Sequence, residues 1–330
     1  MIQNQYSNDV FSVRERKKNE IKKCGTVAGS CVIGYLLIQE VISFILIASG
    51  LYDLYLADTL FQQCFGLITT VIALIVPHII GGKYLSKITD YDIIPAGKAD
   101  NTWLAVLAVP AGTALCLASN YLSGIFTFIT ELFGIELSMP DLSMPSGGYE
   151  LLIYSLRLTV CAAVIEEICF RGVIMQPLRK YGNYFAIAMS AVMFGLIHCN
   201  LIQAPFAILA GLIIGYFTVC TGSIWTGIAI HAMNNTVSAV SSYILTVIPN
   251  EQGEKMVSLL ISGIFAIGIG CCLILWIFRD KLQKNLKRES NSNSLYDITT
   301  GQKLKAFFGN IPMILAIIAI CCYTAQYVAL

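Results

Sequence analysis

The sequence predicts an all-α fold, a polytopic membrane helical bundle of about nine transmembrane helices. Hydrophobic residues make up 56% of the 330-residue chain and charged residues only 12%, with a mean hydropathy of +0.72. Soluble domains carry about 25% charged residues, so this composition argues against a water-soluble globular enzyme. Disordered proteins have low hydrophobicity and high net charge, the opposite of this composition, so a disordered protein is excluded. The net charge of +1 argues against a nucleic-acid partner held by bulk charge.

Nine apolar segments approach the roughly 20 residues that a helix needs to cross a bilayer. The first is too long for the core of a cleaved signal peptide, so it is interpreted as an uncleaved span. The apolar stretch 123–133 is brief and contains Glu131, which predicts a separate interfacial helix. The predicted spans lie near 26–51, 60–82, 103–122, 150–175, 184–198, 201–220, 223–248, 256–278 and 310–329.

Lysine and arginine are distributed unevenly between the loops, and this asymmetry predicts the orientation in the membrane. Residues 1–23 carry six basic residues, and the loop 279–305 carries seven. The loops 51–59 and 123–149 carry none. We therefore expect a multi-pass protein of the cell membrane with its N-terminus in the cytoplasm and, after nine spans, its C-terminus outside.

Ionisable residues inside the predicted spans are few, and they concentrate in one part of the chain. Such residues are costly in hydrocarbon and usually mark function. Five of the eight fall between positions 166 and 231, which directs attention to that region. The eight are Glu40, His78, Arg157, Glu166, Glu167, Arg171, His198 and His231.

The segment Glu-Glu-x-x-x-Arg at 166–171 predicts different roles for its two carboxylates. Adjacent helical residues point about 100° apart, so we expect that the two cannot face the same partner. Glu167 and Arg171 are spaced i and i+4, in the favourable order for an ion pair. Glu166 is then left as a free carboxylate, which suits a general base. The alternative is that all three form one structural cluster that fixes the helix positions.

Two further pairs have i, i+4 spacing on later apolar segments. Phe194 and His198 share one helix face, and His231 and Asn235 share another. Each pair alone has a structural interpretation, since a lone histidine often only packs and Asn or His often forms hydrogen bonds between helices. Counted along the helices, Glu166 and His231 lie at similar depth. If His198 joins them, the three side chains form a water-activating site, with or without zinc.

In this order and on successive apolar segments, the motifs at 166–171, 194–198 and 231–235 resemble those of the CPBP family of intramembrane proteases. The family is also called the Abi or CAAX-protease and bacteriocin-processing family, and all of its defining positions match. The resemblance implies that Glu166 activates water with the help of His198, while His231 and Asn235 bind the oxyanion. If zinc is used, Glu166, His198 and His231 would be its ligands.

The resemblance also implies a domain organisation and a function. Residues 1–25 form a cytoplasmic basic tail, 26–149 the N-terminal transmembrane helices with an outer loop, 150–250 a CPBP-like catalytic core, and 251–330 the C-terminal helices with a basic cytoplasmic loop. Glu167, Arg171 and Phe194 would support the site. The expected partners are membrane lipids and a membrane-associated peptide or protein substrate, with no nucleic acid.

Three functions remain open at this stage. The first is an intramembrane endopeptidase, of metalloprotease type if zinc is bound, that acts on membrane-associated, lipidated or peptide substrates. The second is a catalytically idle immunity or scaffold protein that uses the same fold. The third is a secondary transporter, which also has buried His and Glu, although the sequence shows no repeat relating two halves. Motifs of other membrane proteases, such as His-Glu-x-x-His, are absent from the sequence.

Overall fold

The structure is a computed structural model, and it confirms the predicted all-α polytopic helical bundle. The structure describes residues 2–88, 92–139, 148–287 and 297–329. Residues 140–147 of the predicted outer loop and 288–296 of the predicted basic loop lie outside these ranges. The long helices are α1 (Ile2–Ala48), α3 (Thr59–Leu85), α4 (Thr102–Leu132), α8 (Asn183–Leu196), α9 (Gln203–Thr221), α10 (Ile224–Val247), α11 (Glu251–Ile277) and α15 (Ile311–Ala325). The short helices are α2 (Tyr52–Ala57), α12 (Arg279–Leu282), α13 (Lys284–Lys287) and α14 (Thr300–Phe308).

The helix that carries the two glutamates is continuous from residue 148 to 179 but changes its pitch twice. It consists of α5 (Gly148–Ser155), a π-helical segment (Leu156–Cys161), α6 (Ala162–Glu167), a second π-helical segment (Ile168–Ile174) and α7 (Met175–Arg179). π-turns are rare and are frequently found at functional sites. The two segments directly flank α6, so the glutamates lie between two local changes of helical register.

Each of the nine predicted apolar segments lies largely on a helix, but a count of nine spans is not confirmed. Among the described residues, five helices are long and apolar enough to cross a membrane: α1 from Val10, α3, α4, α9 and α11. A sixth is obtained if α14 and α15, which meet at 75°, form one bent span. The basic tail is helical and continuous with the first span, since α1 extends over both.

The prediction of a separate interfacial helix at 123–133 is wrong. Helix α4 continues without interruption to Leu132, because no proline follows Pro110 to break the hydrogen-bond ladder. The helix ends at Leu132, and Gly134 follows with a φ of +73°, in the left-handed region that glycine adopts at low cost. The outer part of α4 is therefore an extension of the span itself.

The most buried helices surround the glutamates, and the apolar surface faces outward. Helices α3, α8 and α10 pack around the 148–179 helix, while α4 packs against α9, α10 and α11. Helix α1 packs against α3 and α15 on the other side. Helix α11 buries only Gly253, Gly268 and Leu275, so most of its apolar residues are on the surface. An outward-facing apolar helix of this kind is suited to lipid.

The loop after α8 is held to two distant segments at one end of the bundle. Residues Glu136–Leu137 (β1) pair antiparallel with Val328–Ala329 (β2), close to the C-terminus. Asn200 donates from Nδ2 to the Ser138 carbonyl at 2.8 Å, and its Oδ1 accepts from the first backbone N–H groups of α9. The turn after α8, which carries His198, is thereby joined to both chain segments.

Candidate active site

The π-helical segment after Glu167 is stabilised by polar side chains from outside its own hydrogen-bond ladder. Ser190 on α8 donates to the Phe170 carbonyl at 2.8 Å, and Gln176 donates to the Arg171 carbonyl at 2.9 Å. All of these groups are buried. Because an unpaired carbonyl inside an apolar bundle is costly, these two donors help to hold the helix in its altered pitch.

Glu167 and Arg171 form a fully buried ion pair. Arg171 Nη1 donates to Glu167 Oε1 at 2.8 Å, and both side chains are 0% exposed. The guanidinium also donates from Nη2 to the Gly211 carbonyl at 3.3 Å and lies 4.5 Å above the Phe194 ring. Two opposite charges thus neutralise each other in the interior, and the aromatic face adds a cation–π contact.

His231 lies between the two adjacent carboxylates. Its Nδ1 is 2.9 Å from Glu167 Oε1, and its Nε2 is 3.8 Å from Glu166 Oε2. The expectation that Glu166 and Glu167 cannot face the same partner is therefore wrong. An imidazole has two nitrogens on different ring edges, so each nitrogen can face one of two carboxylates that point about 100° apart. Because a carboxylate accepts, the short contact assigns the Nδ1 proton to the Glu167 side and turns Nε2 towards Glu166.

The ring of Phe194 lies between His198, the second histidine of the motifs, and His231. His198 Nδ1 is 2.7 Å from the Phe194 carbonyl, one turn earlier in the chain. The Phe194 ring lies edge-on to His198, with ring centroids 5.1 Å apart, and edge-on to His231 at 5.7 Å. Phe194 thereby separates and orients both imidazoles, which makes it a spacer as well as a supporting residue.

Asn235 is anchored to the backbone of the helix that carries the glutamates. Its Nδ2 donates to the Leu158 carbonyl at 2.8 Å, within the first π-helical segment, and its Oδ1 accepts from Asn234 at 3.4 Å. An amide group has two N–H donors, so one N–H remains for a ligand. Asn235 lies one turn from His231 on α10, as its spacing predicts.

The predicted zinc ligands were tested against the positions of their donor atoms. No group of three or more His, Cys, Asp and Glu side chains within the described ranges is arranged to hold a metal ion. Glu166 Oε2 and His231 Nε2 lie 3.8 Å apart, whereas no ion-pair contact within 4.0 Å joins His198 to Glu166 in the described part of the chain. The residues in this arrangement do not fit a three-ligand zinc site, and no step below depends on a metal.

A small polar cluster behind Glu167 has no signal in the sequence. Gly227 on α10 faces both Thr218 of α9 and the second carboxylate oxygen of Glu167. A methyl group at position 227 would lie 2.4 Å from Thr218 Oγ1 and 3.2 Å from Glu167 Oε2. Both oxygens are buried and lack a hydrogen-bond partner in the described part of the chain. The absence of a side chain at Gly227 therefore gives the carboxylate room beside Thr218.

Two comparisons with known proteins agree with this geometry. Residues 148–237 match the model of the family described as type II CAAX prenyl endopeptidase Rce1-like. The chain is also 28% identical over 176 residues to "Putative membrane peptidase YdiL" of Bacillus subtilis (strain 168), covering 51% of this chain and 69% of that protein. No solved structure matches the chain.

The matched segment is similar to one class of protein, the membrane proteases of the CPBP type. Within that class, the resemblance seen in the three motifs is confirmed, because the family match spans all of them from Glu166 to Asn235. The Bacillus protein extends the similarity beyond that segment, to about half of the chain. Neither comparison identifies a substrate or a catalytic mechanism.

Proposed function

We propose that this chain is an intramembrane endopeptidase that hydrolyses peptide bonds of membrane-associated substrates, with Glu166 as the general base. One observation carries the proposal. Of the two adjacent carboxylates, Glu167 is fully buried and bonded to Arg171, whereas the Glu166 side chain is 19% exposed and lies outside that ion pair. An accessible carboxylate beside a buried and neutralised one is the arrangement that activates water.

The chemical step requires only groups that this chain supplies. Glu166 takes a proton from water as the water oxygen attacks the carbonyl carbon of the scissile bond. The carbonyl oxygen then carries a negative charge, which the free N–H of Asn235 stabilises as a hydrogen-bond donor, while the unprotonated Nε2 of His198 can accept a hydrogen bond from the attacking water. Glu166 returns the proton to the amide nitrogen as the C–N bond breaks, so the products are one carboxylic acid and one amine.

His231 and the ion pair control the charge around the base. Glu167 holds the Nδ1 side of His231, which keeps Nε2 directed at Glu166. Arg171 balances the charge of Glu167, so the buried pair places no net charge beside Glu166. Glu167 and Arg171 are thus positioning residues: they act on Glu166 through the imidazole of His231.

The substrate class follows from the location of the site and from the family resemblance. The site lies within an apolar bundle, so a substrate reaches it from the bilayer or from the membrane surface. Because the matched family is described as a CAAX prenyl endopeptidase, a peptide that carries a lipid on cysteine is the first probe to use. A matched peptide without the lipid shows whether the lipid is recognised.

The test compares the wild-type chain with Glu166→Gln, purified in detergent and also expressed in cells. We expect Glu166→Gln to fold normally but to leave a quenched fluorescent S-prenyl peptide intact. We also expect it to let full-length substrates accumulate in the membrane proteome. Glu131→Gln is the matched control, because Glu131 is an exposed glutamate at the end of α4. This variant should cleave the peptide at the wild-type rate.

Two results would contradict the proposal in different ways. If Glu166→Gln cleaves the peptide while a well-folded Glu167→Gln does not, the roles of the two carboxylates are reversed. If wild type and Glu166→Gln give identical peptide products and identical membrane proteomes, the chain is not a protease of this type. The idle immunity or scaffold function would then account better for the fold.

A further inference from the structure

A pocket of about 470 Å³ lies between α3 and the helix that carries the glutamates. Its walls come from α3, from α6 and the second π-helical segment, and from the loop residues Ile93 and Ile94. Ile165 and Ile168, which flank the two glutamates in the chain, both line it. A ligand in this pocket therefore contacts the residues on either side of Glu166 and Glu167.

Two glycines allow the walls of the pocket to approach each other closely. A methyl group at Gly82 of α3 would lie 3.3 Å from Val173 Cγ2 in the π-helical segment. A methyl group at Gly172 would lie only 2.7 Å from the Ile93 carbonyl oxygen, so the loop backbone packs directly on that segment. The pocket is thus built by close backbone contacts on two sides.

The pocket is apolar and reaches the outer surface of the bundle. Two of its lining residues, Ile79 and Ile94, are 50% and 46% exposed. His78 also lines the pocket, but it is buried and its Nδ1 donates to the Leu74 carbonyl at 2.7 Å. Helix α3 is long and apolar enough to cross a membrane, so lipid surrounds its exposed face. An apolar pocket that opens towards lipid fits an acyl chain.

Positive charge lies at one end of this pocket. Lys83, in the last turn of α3, lines the pocket together with Ser86, and both residues are exposed. Within the described ranges, no carboxylate oxygen lies within 4.0 Å of the Lys83 ammonium group. The last turn of a spanning helix lies near the lipid headgroups. A cation at the headgroup end of an apolar pocket is complementary to an amphiphile with an anionic head.

We propose that this pocket binds an anionic phospholipid, with one acyl chain between α3 and the second π-helical segment and the phosphate at Lys83. Basic residues at the membrane surface attract anionic headgroups, and one lysine contributes roughly a fivefold gain in affinity. The acyl chain packs against Ile165 and Ile168, so the lipid supports the helix at the point where its pitch changes. The site is distinct from the peptide-cleaving site, and lipid binding does not require cleavage.

A row of aromatic rings connects the wall of the pocket with the candidate active site. The His78 ring lies 5.8 Å from the Phe170 ring, which lies 5.2 Å from Phe194. Phe194 in turn contacts the rings of His198 and His231. The Cys169 thiol, also on the wall of the pocket, donates to the same Leu74 carbonyl as His78, at 3.8 Å. Lipid in the pocket thus lies against packed groups that continue to both histidines.

The chain supplies a matched control for each half of the proposed lipid. Lys98 is an exposed lysine in the loop after α3 and lies outside the pocket, so Lys98→Gln removes the same charge elsewhere. Ile79→Trp fills the pocket from its exposed edge. Ile72, two turns earlier on α3, is 41% exposed and also lies outside the pocket, so Ile72→Trp adds the same indole without filling it.

The experiment titrates the purified full chain in detergent with phosphatidylglycerol, or with phosphatidylcholine of the same acyl chains, and counts bound lipids by native mass spectrometry. We expect the wild type to bind phosphatidylglycerol more tightly. Lys83→Gln should lower that affinity about fivefold, and Lys98→Gln should leave it unchanged. Ile79→Trp should weaken the binding of both lipids, whereas Ile72→Trp should weaken neither.

Thermal unfolding provides a second measurement on the same proteins. A ligand that binds the folded state raises the unfolding temperature by mass action. Phosphatidylglycerol should therefore raise this temperature in the wild type and in Lys98→Gln, and raise it less in Lys83→Gln. Oleate has a similar chain and charge but no phosphate, so we expect it to displace phosphatidylglycerol poorly.

Four results would overturn the inference. Equal phosphatidylglycerol affinity in Lys83→Gln and Lys98→Gln would exclude the headgroup contact, and unchanged binding in Ile79→Trp would exclude the pocket. Efficient displacement by oleate would indicate a fatty-acid site, and one-for-one displacement by the S-prenyl peptide would assign the pocket to the substrate. Glu166→Gln should bind the lipid as the wild type does, so a failure of the proposed function leaves this test intact.

Discussion

The buried ion pair gives a stability prediction that depends on burial and hardly at all on distance. Glu167→Gln keeps the shape of the side chain but removes its charge, so Arg171 becomes an unpaired cation in the interior. The pair has an N···O distance of 2.8 Å with both side chains 0% exposed. Removing one partner of such a pair costs about 3–5 kcal/mol in the free energy of unfolding.

The chain supplies a control pair with nearly the same geometry on its surface. Glu251 and Lys255 are also spaced i and i+4, with an N···O distance of 2.7 Å, but their side chains are 80% and 70% exposed. An exposed helical pair contributes at most about 0.5 kcal/mol. If distance determined the energy, Glu251→Gln and Glu167→Gln would cost the same. Since water screens only the exposed pair, we expect a several-fold larger cost at Glu167.

Reversible unfolding in mixed detergent micelles measures both variants, and a double variant isolates the charge. Arg171→Met in the Glu167→Gln background removes the stranded cation, so we expect it to recover at least about 2 kcal/mol. The reasoning is refuted if Glu167→Gln and Glu251→Gln unfold with the same free energy. It is also refuted if the double variant is less stable than Glu167→Gln alone.

Three further predictions concern packing, chemistry and orientation. Gly227→Ala should lower the free energy of unfolding by about 1–3 kcal/mol, because its methyl group would lie 2.4 Å from Thr218 Oγ1. Gly270→Ala is the control, since Gly270 lies in open space on α11, and it should be neutral or stabilising. Equal changes in the free energy of unfolding would contradict this. Asn235→Ala should lower kcat about 10²–10³-fold while a chelator leaves the wild-type rate unchanged; activity that returns only with stoichiometric zinc would disprove this. In a cysteine-free chain, we expect a thiol reagent to label Ser294→Cys from the cytoplasmic side of the membrane and an added C-terminal cysteine from the outside. Labelling of both cysteines from the same side would rule out nine spans.

Local spacing predicts those parts of the site that lie within one helix. The ion pair of Glu167 and Arg171 and the shared face of His231 and Asn235 follow from the 3.6-residue period. The helical fold follows equally from apolar segments of suitable length, although the number of spans does not. Loop charges predict an orientation, which remains a prediction.

Contacts between helices were beyond the reach of the sequence. Whether His231 meets one carboxylate or two depends on how α10 packs against α6, and the spacing of residues within α6 carries no information about that. The π-helical segments depend on Ser190 and Gln176, which accompany them without any recognisable motif.

The two π-helical segments make the site sensitive to the number of residues as well as to their identity. A π-turn accommodates more residues than an α-turn, so deleting one residue from Ile168–Ile174 would allow the helix to return to regular pitch. The helix on the far side would keep its direction, because an α-turn completes the same rotation with fewer residues, but spacings across the deleted residue would change. A conservative substitution in this segment changes one contact, whereas a single-codon deletion between Glu167 and Arg171 would shorten their spacing from four residues to three and alter the buried ion pair. For this region of the protein, an alignment gap is a stronger sign of lost activity than a mismatch.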